Sequence, residues 1–284
     1  PFFYVYAFFG FFLKLKNING LLLNCKFHHS YYKFKINIVL DKVKFFLFKL
    51  FIKNKNVSKV FLVDYLIKDF LNFNNYKSKK IIFVNEAFNE IKPINKYLAR
   101  RKFKFKENGK YILVYGAITI RKGLIELIDT VSSDDNLNEY SIIVAGVIHN
   151  EFYNNLKNRE GFKKLIKNKK LYILDKFISE NEERQLFSST DFVWLGYNNN
   201  SSDSSSGVLN LSVMAEKVVI ASNRGLIAKI VKSNRIGYIY NSNLRIMLKK
   251  ILRKKNYSKI KNNIKKYKSK LKLKIFEKTI SSNI

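Results

Sequence analysis

From residue 110 the chain repeats one arrangement: a short apolar run, a glycine or serine, then a stretch with helical spacing. YILVYG (111–116) leads into KGLIELIDTV (122–131), where Leu124, Leu127, Ile128 and Val131 recur at helical intervals. YSIIVAG (140–146) precedes a polar, helix-like stretch over 150–168, and LYIL (171–174) precedes SENEERQLFSS (179–189). That last segment opens with a Ser cap and acidic first-turn residues. DFVWLG (191–196), GVLNLSVMAE (207–216), VVIAS (218–222), GLIAKIVKS (225–233) and GYIY (237–240) continue strand, helix, strand, helix, strand. Runs apolar along their whole length suit strands buried on both faces, so the pattern predicts an α/β fold with a parallel sheet and helices on both sides. In such sheets ligands sit beyond the carboxyl ends of the strands. The loops after Gly116, Gly146, Gly196 and Ser222 are therefore the ones that matter.

The first hundred residues are less regular. KVKFFLFKLFIK (42–53) reads as a helix, VSKVFLVD (57–64) as a strand, DYLIKDFLNF (64–73) as a helix and KKIIFVN (79–85) as a strand. This gives a partial N-terminal α/β domain over 1–92, a linker over 93–109 beginning near Pro93, a Rossmann-like domain over 110–243 and a basic amphipathic helical tail over 244–284. Residues 245–274 hold fourteen Lys or Arg and no acidic residue, and Ile260, Ile264, Tyr267 and Leu271 line one helical face.

Composition narrows the function classes. At 47% hydrophobic the 284 residues can bury a core. The net charge of +33 comes from Lys far more than Arg, spread along the chain; a specific nucleic-acid reader would use more Arg for bidentate contacts. Attraction to an anionic membrane surface is the better reading of the charge. One cysteine, Cys25, and three histidines, His28, His29 and His149, exclude an intrachain disulfide framework and argue against a protein-built metal site. Cys25 reads as a small buried hydrophobe, which suits a reducing cytoplasm. The opening PFFYVYAFFGFFL is thirteen apolar residues, short of the roughly 20 that span a bilayer, and it lacks the marks of a signal peptide. Because the chain opens on Pro1, residues are expected to precede it. Trp194 reads as core, Glu182 and Glu183 as first-turn charges, and His28 or His29 as an acceptor-site residue only if a motif supported it.

Three loops carry candidate chemistry. GAITIRKG (116–123) places Gly116, Arg121, Lys122 and Gly123 between a strand end and a helix start, where unpaired amides favour phosphate. NNNSSDSSSG (198–207) offers hydroxyls and amides, Ser204, Ser205, Ser206 and Gly207 among them, at the next such helix start. ASNRGL (221–226) adds Arg224. The alternative for each is a solvated surface turn.

Together these loops resemble the donor-binding half of the group-1 (family 4) retaining glycosyltransferases of GT-B fold. GAITIRKGLIELIDTV is similar to that family's G-R-L-x-x-x-K-G loop, with Ala117 in place of Arg. LYILDKFISENEERQLFSSTDFVWLGY is similar to its V-x-F-x-G-x-x-x-x-x-E-L-x-x-x-Y-x-x-A-D segment. SSSGVLNLSVMAEKVVIASNRGL is similar to its E-G-F-G-L-x-x-x-E-A-M-A-x-G-K-P-V-I-A-T segment. The likeness spans 110–240 and, more loosely, 57–85. It implies transfer of a sugar from a nucleoside diphosphate donor to a glycan or lipid-linked acceptor. It also implies no metal or cofactor, with Lys122 stabilising the departing diphosphate, and a cytoplasmic enzyme peripheral to the inner membrane face. The family's two glutamates, one for the donor sugar and one for its ribose, fall near Ser204 and Ser212, to within one residue. Their loss leaves a second reading open: an inactive homologue that binds a nucleotide sugar or a partner protein.

Overall fold

In the computed structural model, the described residues are 17–22, 25, 27–28, 38–63, 65–198, 206–254 and 257–284. The chain divides into two compact units, Pro1–Ala87 with Leu271–Ile284, and Phe88–Lys270.

The first unit holds a parallel sheet of β1 (Ile18–Leu22), β2 (Val57–Leu62) and β3 (Ile81–Phe83), in that order. Alternation along β2 sorts its two faces. Val60 and Leu62 join Phe48, Phe51 and Ile52 of α1 (Ile38–Lys53) and Ile67, Phe70 and Leu71 of α2 (Tyr65–Phe73) in one core cluster. Phe61 and Val63 turn the other way and form a second cluster with Val84, on which Phe276 and Ile280 pack. Cys25 is buried in the first cluster, as expected, and His28 is buried with its ring edge-on to Phe27. Any acceptor role for His29 lies outside the described residues.

The second unit is a six-stranded sheet, parallel throughout, in the order β6 (Leu171–Leu174), β5 (Tyr140–Ala145), β4 (Lys110–Tyr115), β7 (Phe192–Leu195), β8 (Val218–Ser222), β9 (Gly237–Tyr240). Every residue of β5, β7 and β8 is buried, the signature of a sheet covered on both faces. The intervening helices are α4 (Leu124–Ser132), α5 (Asn150–Asn158), α6 (Glu160–Lys167), α7 (Glu180–Ser189), α8 (Gly207–Met214) and α9 (Gly225–Asn234). The strand order reverses between β4 and β7, which opens a crevice at their carboxyl ends.

The segment read as a linker belongs to the second unit and is helical in part. It carries α3 (Lys96–Lys102), capped by Asn95, and Arg100 on it is buried. The Arg100 guanidinium donates to Ser189 O at 2.9 Å and to Asp191 at 2.7 Å and lies over the Tyr111 ring, fastening this segment to the sheet. The basic tail packs on the rest of the chain through its apolar stripe. It forms α10 (Leu244–Leu252), α11 (Ser258–Lys268) and α12 (Leu273–Ser281). Ile264 is fully buried, α11 lies on α8, α9 and β8, and Lys268 Nζ pairs with Glu90 and Glu216 at 3.2 and 3.1 Å. An apolar stripe of that spacing finds cover on its own chain, which leaves only the lysine face to solvent.

Candidate functional site

The turn after β4 is shaped by glycines. Gly123 has φ +63°, and a Cβ built there would stand 1.9 Å from Gly196 O, so only glycine lets the turn pass against the end of β7. The turn then closes in a 3-10 segment, Ile120–Lys122, before α4 begins.

That path sends Lys122 inward. It is 3% exposed, and its ammonium donates to Tyr115 O at 2.8 Å and to the Tyr197 hydroxyl at 2.9 Å. Tyr197 continues the chain of contacts: its hydroxyl lies 3.3 Å from Ser206 Oγ, which accepts from Leu209 N and so caps α8. Lys122 Nζ also lies 4.8 Å from the Tyr197 ring centroid, and the Arg121 guanidinium 5.8 Å from it. A Cβ at Gly116 would meet Lys122 Nζ at 3.6 Å and Val208 Cγ2 at 3.7 Å. The glycine turn, the lysine and the first turn of α8 therefore share one corner of the crevice.

The electrostatics of this corner are unbalanced. A helix N-terminus carries partial positive charge on its unpaired amides, and a lysine placed beside one is repelled unless an anion joins them. Lys122 faces the start of α8, and its covalent neighbour Gly123 begins α4. Its partners Tyr115 O and Tyr197 OH are neutral.

A cavity of about 810 Å³ in the same unit is lined by Asn89, Ile91, Asn181, Glu183, Arg184 and Leu211 among others. Tyr115 links the two: its carbonyl takes the Lys122 ammonium, and its phenol donates to Glu183 at 2.6 Å. Burial first, and then Glu183, push the phenol well above its ordinary range. Glu182 has a different job. It completes a capping box with Ser179 and pairs with Lys176 at 2.6 Å.

Of the residues singled out in the sequence, Gly116, Arg121, Lys122, Gly123, Ser206 and Gly207 come together here. Ser204 and Ser205 lie outside the described residues. Ser212 is turned inward: it is 0% exposed and its hydroxyl donates to Val208 O at 2.6 Å within α8. Arg224 stands at the position before α9, beyond β8, exposed, and its charge acts on Tyr240, whose hydroxyl donates to Glu126 at 2.9 Å. Trp194 is core, stacked on Tyr240, with its indole N–H donating to Lys122 O at 2.8 Å. Tyr115, Tyr197 and Glu183 were missed as site residues, although both tyrosines stand at strand ends, where site residues are to be sought. Among the described residues no group of three or more His, Cys, Asp or Glu is placed to hold a metal ion.

A six-stranded, doubly wound parallel sheet with a lysine-bearing glycine turn at its switch point defines a Rossmann-like domain. Residues 95–271 match the model of one family, and the chain belongs to it: the glycosyl transferases group 1. No curated protein matches the chain in sequence. Among solved structures, Alr3699/HepE of Anabaena, solved with UDP, superposes with a TM-score of 0.75 at 14% identity, over 99% of this chain and 75% of that one. The same protein has been solved with UDP-glucose. WaaG, a glycosyltransferase involved in lipopolysaccharide biosynthesis, gives 0.62 at 15% identity over 95% and 75%. The C-terminal domain of LpcC of Francisella tularensis gives 0.51 at 18% identity over 64% and 96%. At these identities the likeness establishes the GT-B fold.

Proposed function

We propose that this chain transfers a sugar from a nucleoside diphosphate donor to a glycan or lipid-linked acceptor, in surface polysaccharide synthesis. The observation that carries the reading is the Lys122 corner, where a buried cation and a helix N-terminus converge and the partners of the ammonium among the described residues, Tyr115 O and the Tyr197 hydroxyl, are neutral. A departing diphosphate supplies an anion there. The negative charge that grows on it as the sugar bond breaks meets donors already in place, which is the main source of catalysis in such a site. In this reading Arg121, Arg224, Gly116, Gly123, Ser206 and Gly207 complete the donor cradle, together with Ser204 and Ser205 of the loop that precedes α8. In this mechanism no metal takes part, and the sugar keeps its anomeric configuration.

HepE, solved with UDP and with UDP-glucose, supports a uridine diphosphate donor. WaaG, by its part in lipopolysaccharide biosynthesis, supports a surface glycan product. The same reading places the protein at the inner face of the membrane, held by the lysine face of α11. No helix among the described residues is long and apolar enough to cross a membrane.

One observation favours a second reading. α8 turns Leu211 to the cavity and Ser212 to its own backbone, so its described residues bring no carboxylate to the donor. A homologue that binds a nucleotide sugar without turning it over would have that helix. Incubation with a panel of nucleotide sugars separates the two. Release of free nucleoside diphosphate supports the enzyme, and binding with no release over hours supports the inactive homologue.

A further inference from the structure

The cavity beside α7 holds polar groups that a diphosphate does not need. α8 offers it Leu211, which can neither donate nor accept a hydrogen bond. α7 offers it Glu180, Asn181, Glu183 and Arg184. The lysine corner and the cavity are joined through Tyr115, whose two polar atoms serve one each. With its phosphates at Lys122, a nucleoside diphosphate would extend past Tyr115 toward this cavity, whose volume of about 810 Å³ suffices for a nucleoside.

The groups that a nucleoside brings next to its phosphates are ribose hydroxyls, which donate well to a carboxylate. We propose that Glu183 accepts the ribose hydroxyls of the donor nucleotide, a part that Leu211, the residue of α8 that lines the cavity, cannot play. The inference rests on the donor reading above. Tyr115 is the positioning residue. Its phenol is held protonated by burial and by Glu183 itself, so it always donates and keeps the carboxylate an acceptor at the cavity wall. Glu183 stands one turn into a helix whose start is fixed by the Ser179–Glu182 capping box, so its backbone is set before any ligand arrives.

The test is calorimetric binding of UDP, ADP, GDP and CDP, each against its 2′-deoxy counterpart. Hydrogen bonds to a charged group contribute about 1.5–3 kcal/mol, so the wild type should prefer the ribose form of its nucleotide by roughly ten- to a hundredfold. Glu183→Leu should bind the ribose and deoxy forms equally, at the affinity that the wild type shows for the deoxy form. Tyr115→Phe should keep part of the preference. If Glu183→Leu fails to fold, Glu183→Gln has the same shape and should lose preference in the same direction, by less. A Glu183 variant that keeps the full wild-type preference overturns the assignment. A wild type that binds none of the four nucleotides overturns the donor reading, and this inference with it.

Discussion

At the amino ends of the strands Lys217 sits where α7 finishes, and its ammonium donates to Ser188 O and Thr190 O at 3.1 and 3.0 Å. At the carboxyl ends Lys122 sits where α8 begins and binds one carbonyl and one hydroxyl. The two side chains are chemically identical, but the helix ends they meet are opposite. Carbonyls at a helix C-terminus need a donor, and Lys217 supplies it, so it completes the structure around it. Amides at a helix N-terminus favour an anion, and in the proposed function Lys122 and the start of α8 share one. Burial alone thus says little about a lysine's role. The polarity of the backbone it faces says more.

The turn that brings Lys122 to its place is the feature most costly to disturb. Gly123→Ala forces a side chain into αL backbone and against Gly196 O, and should cost roughly 2–5 kcal/mol in denaturant unfolding. An unchanged midpoint would mean that the turn is not built as described. Gly207→Val probes the anion side alone. A Cβ at Gly207 meets nothing within 4 Å, so the fold should persist. The added methyls would stand where phosphate approaches α8 and weaken nucleoside diphosphate binding by about 1–3 kcal/mol, the usual cost of overfilling a packed site.

The amino end makes its own prediction, in pH. Burial lowers the Lys217 ammonium from its ordinary 10.5 to about 8, against the pull of Asp191. Between those values the unfolded chain binds a proton that the folded chain has released, so stability rises with pH across that window. Below about pH 8 the lysine is charged in both states, and the gain is absent. Relative to Lys217→Met, the wild type should gain on the order of 1–3 kcal/mol between pH 7.5 and 10.5 by these relations. Parallel curves for the two proteins would show that Lys217 is better solvated than its position implies.

The smallest effect expected is on the solvent face of α11. Lys259, Lys265 and Lys266 are exposed there, and each lysine near an anionic leaflet contributes about 1 kcal/mol. The three changed together to Gln should reduce sedimentation with anionic vesicles and leave thermal stability unaltered. Removing the whole tail is a poor test, because Ile264 belongs to the core.

Much of the second unit was legible because its strands are short apolar runs, the central β5, β7 and β8 buried throughout. LYIL, VVIAS and GYIY coincide with β6, β8 and β9. β1 went unread because Ile18–Leu22 interleaves Asn19 and Gly20 with its apolar residues and gains its place only by pairing with β2. α3 went unread because seven residues rich in Lys and Arg carry no apolar stripe, and Asp191, 91 residues from Arg100, is what anchors it. Lys122 and its glycines were legible from local spacing, whereas Tyr197 and Glu183 depend on contacts across 75 and 68 residues. Spacing within a segment reveals a turn. It does not reveal which distant hydroxyl will meet it.

The central claim is that Lys122 stands in its place for an anion and Lys217 for the fold. Isothermal titration of UDP into the wild type, Lys122→Ala and Lys217→Met, with thermal unfolding of each, tests it directly. A charge-assisted contact of about 1.5–3 kcal/mol requires Lys122→Ala to bind roughly ten- to a hundredfold more weakly, while Lys217→Met binds as the wild type does. Wild-type affinity in Lys122→Ala, or an equal loss in both variants, would contradict it.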